Sequence, residues 1–355
     1  NREFQTARPF RRSPVHHLVE GAGASFGSRM GWERPNFFAP PGVAPVIEYS
    51  WGRQNWIPWV DAEQRATREA VALYDQTSFG RLLVQGRDAE AALQWLCTND
   101  VAVPVGRTVY TGVLNARGTY EADVTLTRLA HDEYLWVTSS ASAVRDRDWI
   151  LRHLAPDQHV SVTGVTVSCA VLGVMDPSSR GLLQSLSRAG VSNEAFPFGT
   201  SQEVDLGYST VRATRITYVG ELGWELYVPA EFAVGVFGML QEAGRQWGLA
   251  NSGYYAINAL RLEKGYRAFG AELTPDYNPV EAGLTFATKL RTDIPFVGRE
   301  AVEAAKENGV RRRLVSFVLA DPEAMMWGGE LLLRDGSGTG QVTSAAYATT
   351  TGACV

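Results

Sequence analysis

The sequence predicts an α+β protein that ends in a small β-barrel, on three observations. Residues 81–153 form a strand-rich unit with two helical segments. Residues 217–229, TYVGELGWELYVP, read as a hairpin: two short β-runs around a tight Gly220-Glu221-Leu222-Gly223 turn. Beyond residue 308 the chain is made of short strands and glycine turns.

Taken in order, residues 1–45 are rich in Arg, Pro and Gly, hold no sustained period, and read as a connector. Residues 61–74 carry helical spacing at Ala66, Ala70, Leu73 and Tyr74, with acidic residues early, where the helix dipole favours them. Residues 81–84 read as a short strand, and Asp88 is a good N-cap for the helix AEAALQWL. Strands are expected at 109–114, 124–129 and 133–137, and a helix at 143–153. Residues 160–174 read as one strand run, alternating and then apolar. A helix at 177–189 is opened by Asp176 and Pro177 and closed by Gly190. Further helices are expected at 231–247, at 254–264 with Gly265 as the stop, and at 299–308.

A length of 355 residues allows about two or three domains and an ample core. The chain is 45% hydrophobic and 20% charged with no biased tract, as in a soluble globular protein. The net charge is −5 and the basic residues are scattered, which disfavours nucleic-acid and anionic-membrane partners. No apolar run reaches the roughly 18 residues of a spanning helix, and no secretory signal is present. Cys97, Cys169 and Cys354 are odd in number and far apart, which argues against a disulfide framework and fits a reducing compartment. That compartment is expected to be the cytoplasm, or the mitochondrial matrix in a eukaryote. Cys97 and Cys169 read as inert core thiols. The histidines show no metal spacing, and the adjacent His16 and His17 read as surface residues, so no metal is expected. Gly21 to Gly27 has GxGxxxG spacing but lacks both a preceding apolar strand and an acid about 20 residues on, so a dinucleotide loop is rejected. The chain starts at Asn1 without Met and stops at Val355 in what reads as a barrel strand, as expected of a fragment, a processed chain or part of a longer protein.

Glu225 stands between Trp224 and Leu226, where a carboxylate must find a donor or remain costly. Spacing alone favours an exposed-face glutamate. The segment around it, however, resembles the folate-site signature of the glycine-cleavage T-protein (aminomethyltransferase) superfamily. Its wording is closest to the folate modules of dimethylglycine and sarcosine dehydrogenases and oxidases. The resemblance runs almost the whole length. Residues 8–40, including GWERPNFFAP, are similar to the junction between flavin and folate regions. LYDQTSFG, LCTNDV, VLNARGTYEADVTLTRL, ALRLEKGYRAFG and NPVEAGL match in order, and RRRLV and QVTSAAY resemble the C-terminal barrel.

The resemblance implies a three-lobed cloverleaf around a central folate channel. Residues 1–45 would be a connector from an upstream flavin region. A folate-binding domain would span 46–270, with lobe one at 46–85 plus 168–270 and an inserted lobe two at 86–167. An incomplete C-terminal β-barrel domain would span 271–355. The implied function is tetrahydrofolate-dependent one-carbon transfer within a flavin-linked N-demethylating enzyme. The methyl-derived carbon of dimethylglycine or sarcosine would be captured as 5,10-methylenetetrahydrofolate. The partners would be an N-methyl amine or its iminium and a flavin domain or subunit, with FAD bound outside these residues. The alternatives are a free-standing O- or S-demethylase or aminomethyltransferase, and a folate-binding module without catalysis.

By the same resemblance Asp123 takes the position of the catalytic aspartate. There it would stabilise positive charge at folate N10 and relay a proton, with burial raising its proton affinity. Without that context it reads as a strand-edge aspartate capping a turn. Glu225 would accept the parallel 2-amino and N3–H donors of the pterin. Tyr218, on the partner strand of the hairpin, and Tyr110 resemble aromatics lining the channel, with core packing as the alternative for both. Thr125, on the strand and face of Asp123, is a weaker contact candidate. Many T-proteins carry a folate-anchoring arginine where this chain has Tyr255-Ala256-Ile257-Asn258. Arg261 and Glu263 could substitute or form an intrahelical pair. The run Arg311 to Arg313 could meet a polyglutamate tail or be a solvated edge.

Overall fold

The N-terminal stretch carries enough apolar side chains to fold rather than merely connect. In the computed structural model, which describes residues 3, 5–175 and 177–355, helix α1 (His16–Gly21) leads into an antiparallel hairpin of β1 (Ala24–Arg29) and β2 (Trp32–Phe38). Asn1 and the expected helix opener Asp176 lie outside the described residues. Val15, Val19, Trp32 and Phe37 are all buried, and this apolar burial orders what was expected to be a connector. His16, expected at the surface, is buried with its ring 4.4 Å from that of Phe26, while His17 is exposed.

Helix α2 (Ile57–Glu69) stops short of the expected 61–74 span, and β3 (Val71–Asp75) follows. Val71, Leu73 and Tyr74 continue the helical spacing, but they are buried by strand pairing on both sides, and β-branched and aromatic residues suit a pleated surface. Next come β4 (Gly80–Gln85), α3 (Ala89–Leu96), β5 (Thr108–Leu114), β6 (Tyr120–Ala130), β7 (Glu133–Thr138), α4 (Ala143–Arg152) and β8 (Ser161–Gly164). The five strands make an antiparallel sheet in the order β5-β6-β7-β4-β8. Strand β4, which the expected boundary at residue 85 put in lobe one, therefore pairs inside this second sheet. Asp88 precedes α3 but makes no side-chain cap; its carboxylate accepts the His159 N–H at 2.7 Å.

The single run expected at 160–174 is two strands in two sheets. After β8 the Val165 carbonyl accepts both the N–H and the hydroxyl of Ser168, which turns the chain before β9 (Cys169–Met175). Then follow α5 (Ser179–Leu186), β10 (Ser201–Leu206), β11 (Ser209–Thr214), β12 (Gly223–Pro229), α6 (Ala233–Gly244), β13 (Leu249–Ser252) and α7 (Tyr254–Glu263). The six-stranded sheet has the order β10-β11-β12-β9-β3-β13. Strand β12 pairs with β11 and β9, not with residues 217–219 as the expected hairpin required. The Thr217 hydroxyl accepts the Val219 and Gly220 N–H groups, each at 3.2 Å, which lifts those residues out of the ladder. Helix α8 (Arg299–Asn308) precedes a small C-terminal β-domain. It holds two antiparallel pairs, β14 (Leu331–Arg334) with β15 (Ser337–Gln341) and β16 (Tyr347–Ala348) with β17 (Ala353–Cys354).

Side-chain alternation sorts each sheet into two faces. Trp224, Leu226 and Val228 of β12 enter a core with Leu182 and Leu183 of α5 and Phe237 and Leu240 of α6. Glu225 and Tyr227 take the opposite face, where Tyr227 and Val171 pack on Leu135 of the other sheet. Ala72, Tyr74 and Met175, farther along that face, are covered by Val60 of α2 and Ala256 and Ile257 of α7. Glu225 and Gly173 thus lie on this face between the part packed against the helices and the part packed against the second sheet. In that second sheet, Val124, Leu126 and Trp136 pack beneath α3 and α4. The alternate residues Asp123, Thr125, Val137 and Arg81 point the other way.

Glu63 of α2 ties the helical cover together. It is 4% exposed, and its two oxygens accept the Phe38 N–H at 2.6 Å and the Gly253 N–H at 2.9 Å. Burial pushes its carboxyl up from 4.5 to about 8, the two amides opposing. A folded value above the unfolded one means stability is full below about pH 4.5 and lost as pH rises through about 8. Glu63→Gln removes one acceptor. It should lower unfolding stability by about 1–3 kcal/mol and flatten that pH dependence in denaturant titrations.

Candidate functional site between the two sheets

The β5–β6 hairpin presents Asp123. The Asn115 side chain accepts the Arg117 N–H at 2.9 Å inside the turn, and Gly118 takes φ +75° there. Gly112 pairs directly opposite Asp123, and a Cβ at that position would meet the Tyr120 ring at 2.7 Å. The missing side chain makes room for the Tyr120 ring. Asp123 is half-buried as a residue, but its Oδ1 is enclosed and has no hydrogen-bond partner. Burial pushes the carboxyl up to about 7; the Tyr110 hydroxyl, bonding to it, opposes the rise, and the Asp146 charge adds to it. Asp146, buried on α4, accepts the Trp136 indole N–H at 3.3 Å, and burial raises its own carboxyl to about 6.

Aromatic side chains gather around Asp123. The Tyr110 ring stacks on Phe286 at 6.4 Å, and Tyr218 stacks on Tyr266 at 6.0 Å. The Tyr218 hydroxyl donates to the Arg267 carbonyl at 2.6 Å. Burial, and then the Asp123 charge, raises the phenols of Tyr110 and Tyr120. Tyr218 is raised chiefly by burial, with Asp123 also acting on it. The structure therefore brings Asp123, Tyr110 and Tyr218 into one neighbourhood, although Tyr218 reaches it from a loop. Thr125 pairs with Tyr110 in register and is half-buried.

Glu225 lies on β12 with Thr214 and Gly173 opposite it on the flanking strands. Its Oε2 accepts the Tyr227 hydroxyl at 2.7 Å. Burial raises the carboxyl, while the Tyr227 hydrogen bond and the Arg81 charge hold it down. Gly173 leaves room for the Gln76 side chain, whose buried Oε1 has no partner. Two enclosed oxygens, Asp123 Oδ1 and Gln76 Oε1, thus lack donors. Each is a buried acceptor that an N–H group of a ligand would satisfy.

The suggested substitutes for a tail-anchoring arginine are engaged elsewhere. Arg261 is 2% exposed and pairs with Glu272 at 2.8 Å, while Glu263 pairs with Arg68 at 2.7 Å, so the two do not form an intrahelical pair. Arg312 pairs with Glu281 at 2.8 Å on the surface. The three cysteines are free; Cys97 is buried, and burial pushes its thiol up to about 12. Among the described residues no cluster of three or more His, Cys, Asp or Glu could hold a metal, and no helix is long and apolar enough to cross a membrane.

Sequence reasoning passed over Gln76, Tyr120, Asp146 and Arg81. The legible signals were small: a polar Gln76 just after an apolar strand, and a charged Arg81 opening one.

With its carboxyl raised from 3.8 to about 7, Asp123 contributes stability that falls away as pH rises through that window. Carboxyl 13C NMR should place its titration midpoint near 7, and Tyr110→Phe should move it upward. Asp123→Asn should remove the corresponding slope from the stability profile.

Residues 15–292 match the family model described as the GCVT N-terminal domain, and residues 312–355 match the glycine cleavage T-protein C-terminal barrel domain. The chain is 37% identical over 378 residues to the mitochondrial sarcosine dehydrogenase of Homo sapiens, covering 96% of this chain and 41% of that protein. It is 31% identical to an aminomethyltransferase of Symbiobacterium thermophilum, covering 96% and 86% respectively. The crystal structure of the glycine cleavage system aminomethyltransferase T from Bartonella henselae has the same fold. Its TM-score is 0.80 at 24% identity, covering 97% of this chain and 88% of that one.

Proposed function

The chain belongs to the glycine-cleavage T-protein family, and on that premise we propose that it binds tetrahydrofolate between its two sheets and transfers a one-carbon unit. The donor in this reading is an N-methylated glycine, dimethylglycine or sarcosine, and the product is 5,10-methylenetetrahydrofolate. The supporting observation is that Asp123 Oδ1 and Gln76 Oε1 are enclosed and unpartnered. A pterin edge offers an amino group and a ring N–H side by side, which a carboxylate accepts as a pair. Glu225 keeps one oxygen on Tyr227 and has the other to give.

When bound, reduced folate supplies the nucleophilic nitrogen that captures an electrophilic carbon. The protein's own contributions follow from the geometry. Asp123, poised near neutrality, can hold the released proton, and as an anion it offsets positive charge beside that nitrogen. Tyr110 orients the carboxylate, and the Tyr110–Phe286 and Tyr218–Tyr266 stacks offer flat aromatic faces beside it, with Phe286 and Tyr266 exposed to solvent. The chain spans about two-fifths of the sarcosine dehydrogenase it matches. In this reading the amine is oxidised at an FAD site in another region or subunit, in the bacterial cytoplasm or the mitochondrial matrix. A second reading, a free-standing aminomethyltransferase, is favoured by the bacterial relative of which the chain covers 86%.

Titration calorimetry should detect tetrahydrofolate binding, and Glu225→Ala should weaken it by about 2–4 kcal/mol, as expected for breaking a buried charge-assisted pair. Asp123→Asn should still bind but lose methylene transfer from formaldehyde to tetrahydrofolate. Absence of binding by the intact chain sinks the reading. Binding without any transfer leaves a folate-binding module with no catalysis.

A further inference from the structure

Arg34, on β2, is half-buried, and its guanidinium lies over the Tyr254 ring, 4.0 Å from the centroid. A guanidinium set against a ring keeps the five N–H donors of its own plane for other partners. Here they have none. The Nε is enclosed and unpartnered, and among the described residues no hydrogen bond or ion pair engages either terminal nitrogen. Besides the phenols of Tyr254 and Tyr255, two charges act on Arg34. Arg29 carries the same sign, and the Glu3 carboxylate accepts the Ser28 N–H at 3.0 Å and the Asn36 amide at 3.3 Å instead. The guanidinium stays charged at any physiological pH, so its donors are permanent.

Three hydroxyls converge beside the same ring. Those of Tyr254 and Ser78 are 3.1 Å apart, and Ser140 donates to Ser78 at 3.1 Å. Their hydrogens outnumber their acceptors. The Ser140 hydrogen is spent on Ser78, and Ser78 and Tyr254 use one of their two hydrogens between them. Whichever of the pair donates, the other's hydrogen has no acceptor among the described residues. The four side chains come from four segments: the N-terminal hairpin, the turn after β3, the loop after β7 and the start of α7. Ser78 stands two residues past Gln76, whose side chain reaches Gly173 opposite Glu225. The donors thus adjoin the candidate site at Gln76.

We propose that Arg34, Ser78, Ser140 and Tyr254 form a carboxylate-binding subsite of the candidate site. The Arg34 fork takes both carboxylate oxygens, and the spare hydrogen of the Ser78–Tyr254 pair adds a third bond. This deepens the folate reading and rests on it for the identity of the ligand. In that reading two molecules bring a carboxylate: tetrahydrofolate at its glutamyl end, and the N-methylated glycine. The recognition chemistry is the same for both. A half-buried guanidinium without a counterion is costly, and a carboxylate offsets that cost with two charge-assisted bonds.

The test follows two NMR signals of the full chain. The Arg34 Nε–H is identified by its loss in Arg34→Lys, and the Tyr254 ring by its loss in Tyr254→Phe. Sodium acetate and dimethylglycine should move both signals saturably, and dimethylamine, which lacks the carboxylate, should not. Read at the Tyr254 ring, Arg34→Met should weaken dimethylglycine binding at least about tenfold, as for loss of charge-assisted bonds. Arg34→Lys should weaken it less, and it carries the test if Arg34→Met does not fold. The double variant Ser78→Ala/Tyr254→Phe, read at the Arg34 signal, should weaken it about fivefold, as for one neutral hydrogen bond. If tetrahydrofolate moves the Arg34 signal and tetrahydropteroate, which lacks the glutamyl group, does not, the folate tail occupies the subsite. If dimethylglycine still moves it with tetrahydrofolate bound, the amine does. An Arg34 signal unmoved by acetate, dimethylglycine and tetrahydrofolate, or moved equally by dimethylamine, overturns the subsite. If acetate and dimethylglycine bind at Arg34 while tetrahydrofolate does not bind the chain, the subsite stands and the folate reading is what fails.

Discussion

Burial of carboxylates is the constraint around which the candidate site is organised. Asp123 and Glu225 both lose water in the space where two sheets and a helical layer meet, and burial is the largest influence on each. Neither has a cation as an ion-pair partner. Among the described residues, Asp123 has the Tyr110 hydroxyl and Glu225 has the Tyr227 hydroxyl. Isolated buried carboxylates of this kind destabilise a fold unless a ligand or a proton completes them.

The fold creates this condition by packing rather than by local chemistry. Hydrophobic alternation turns Trp224, Leu226 and Val228 into one core and leaves Glu225 and Tyr227 for the opposite face. The inserted sheet covers part of that face at Tyr227, and α2 with α7 covers another part at Tyr74 and Met175. Glycines at 112 and 173 make room for the Tyr120 ring and the Gln76 side chain, with which a Cβ at either position would collide. Glu63 holds the helical cover to β2 and to the start of α7. The N-terminal hairpin is therefore part of the site's frame, because Phe38 and Arg34 lie on the strand that Glu63 secures.

Much of this was legible in the chain itself, and the failures share a cause. Strands at 109–114 and 133–137 and helices at 143–153, 254–264 and 299–308 emerge close to their observed spans, because their periodicity and end signals agree. The segment 61–74 misled because Leu73 and Tyr74 satisfy a helical period as well as a strand's, and neighbouring strands decided between them. The run at 160–174 misled because its continuous apolar character spans a change of sheet. Tyr218 arrives in the neighbourhood of Asp123 from a loop stapled by the Thr217 hydroxyl, not from a strand.

Sequence alone determined the α+β class and the apolar faces, since periodicity is a property of neighbouring residues; Asp123, Tyr110, Tyr218 and Glu225 entered as candidates through resemblance to a family motif. Tertiary structure decided which carboxylate lies beside which donor, that Gln76 is left unpaired, and that Arg261 is spent on Glu272. Proton affinity and hydrogen-bond satisfaction depend on dielectric and contact across the whole chain, and no local pattern carries that information.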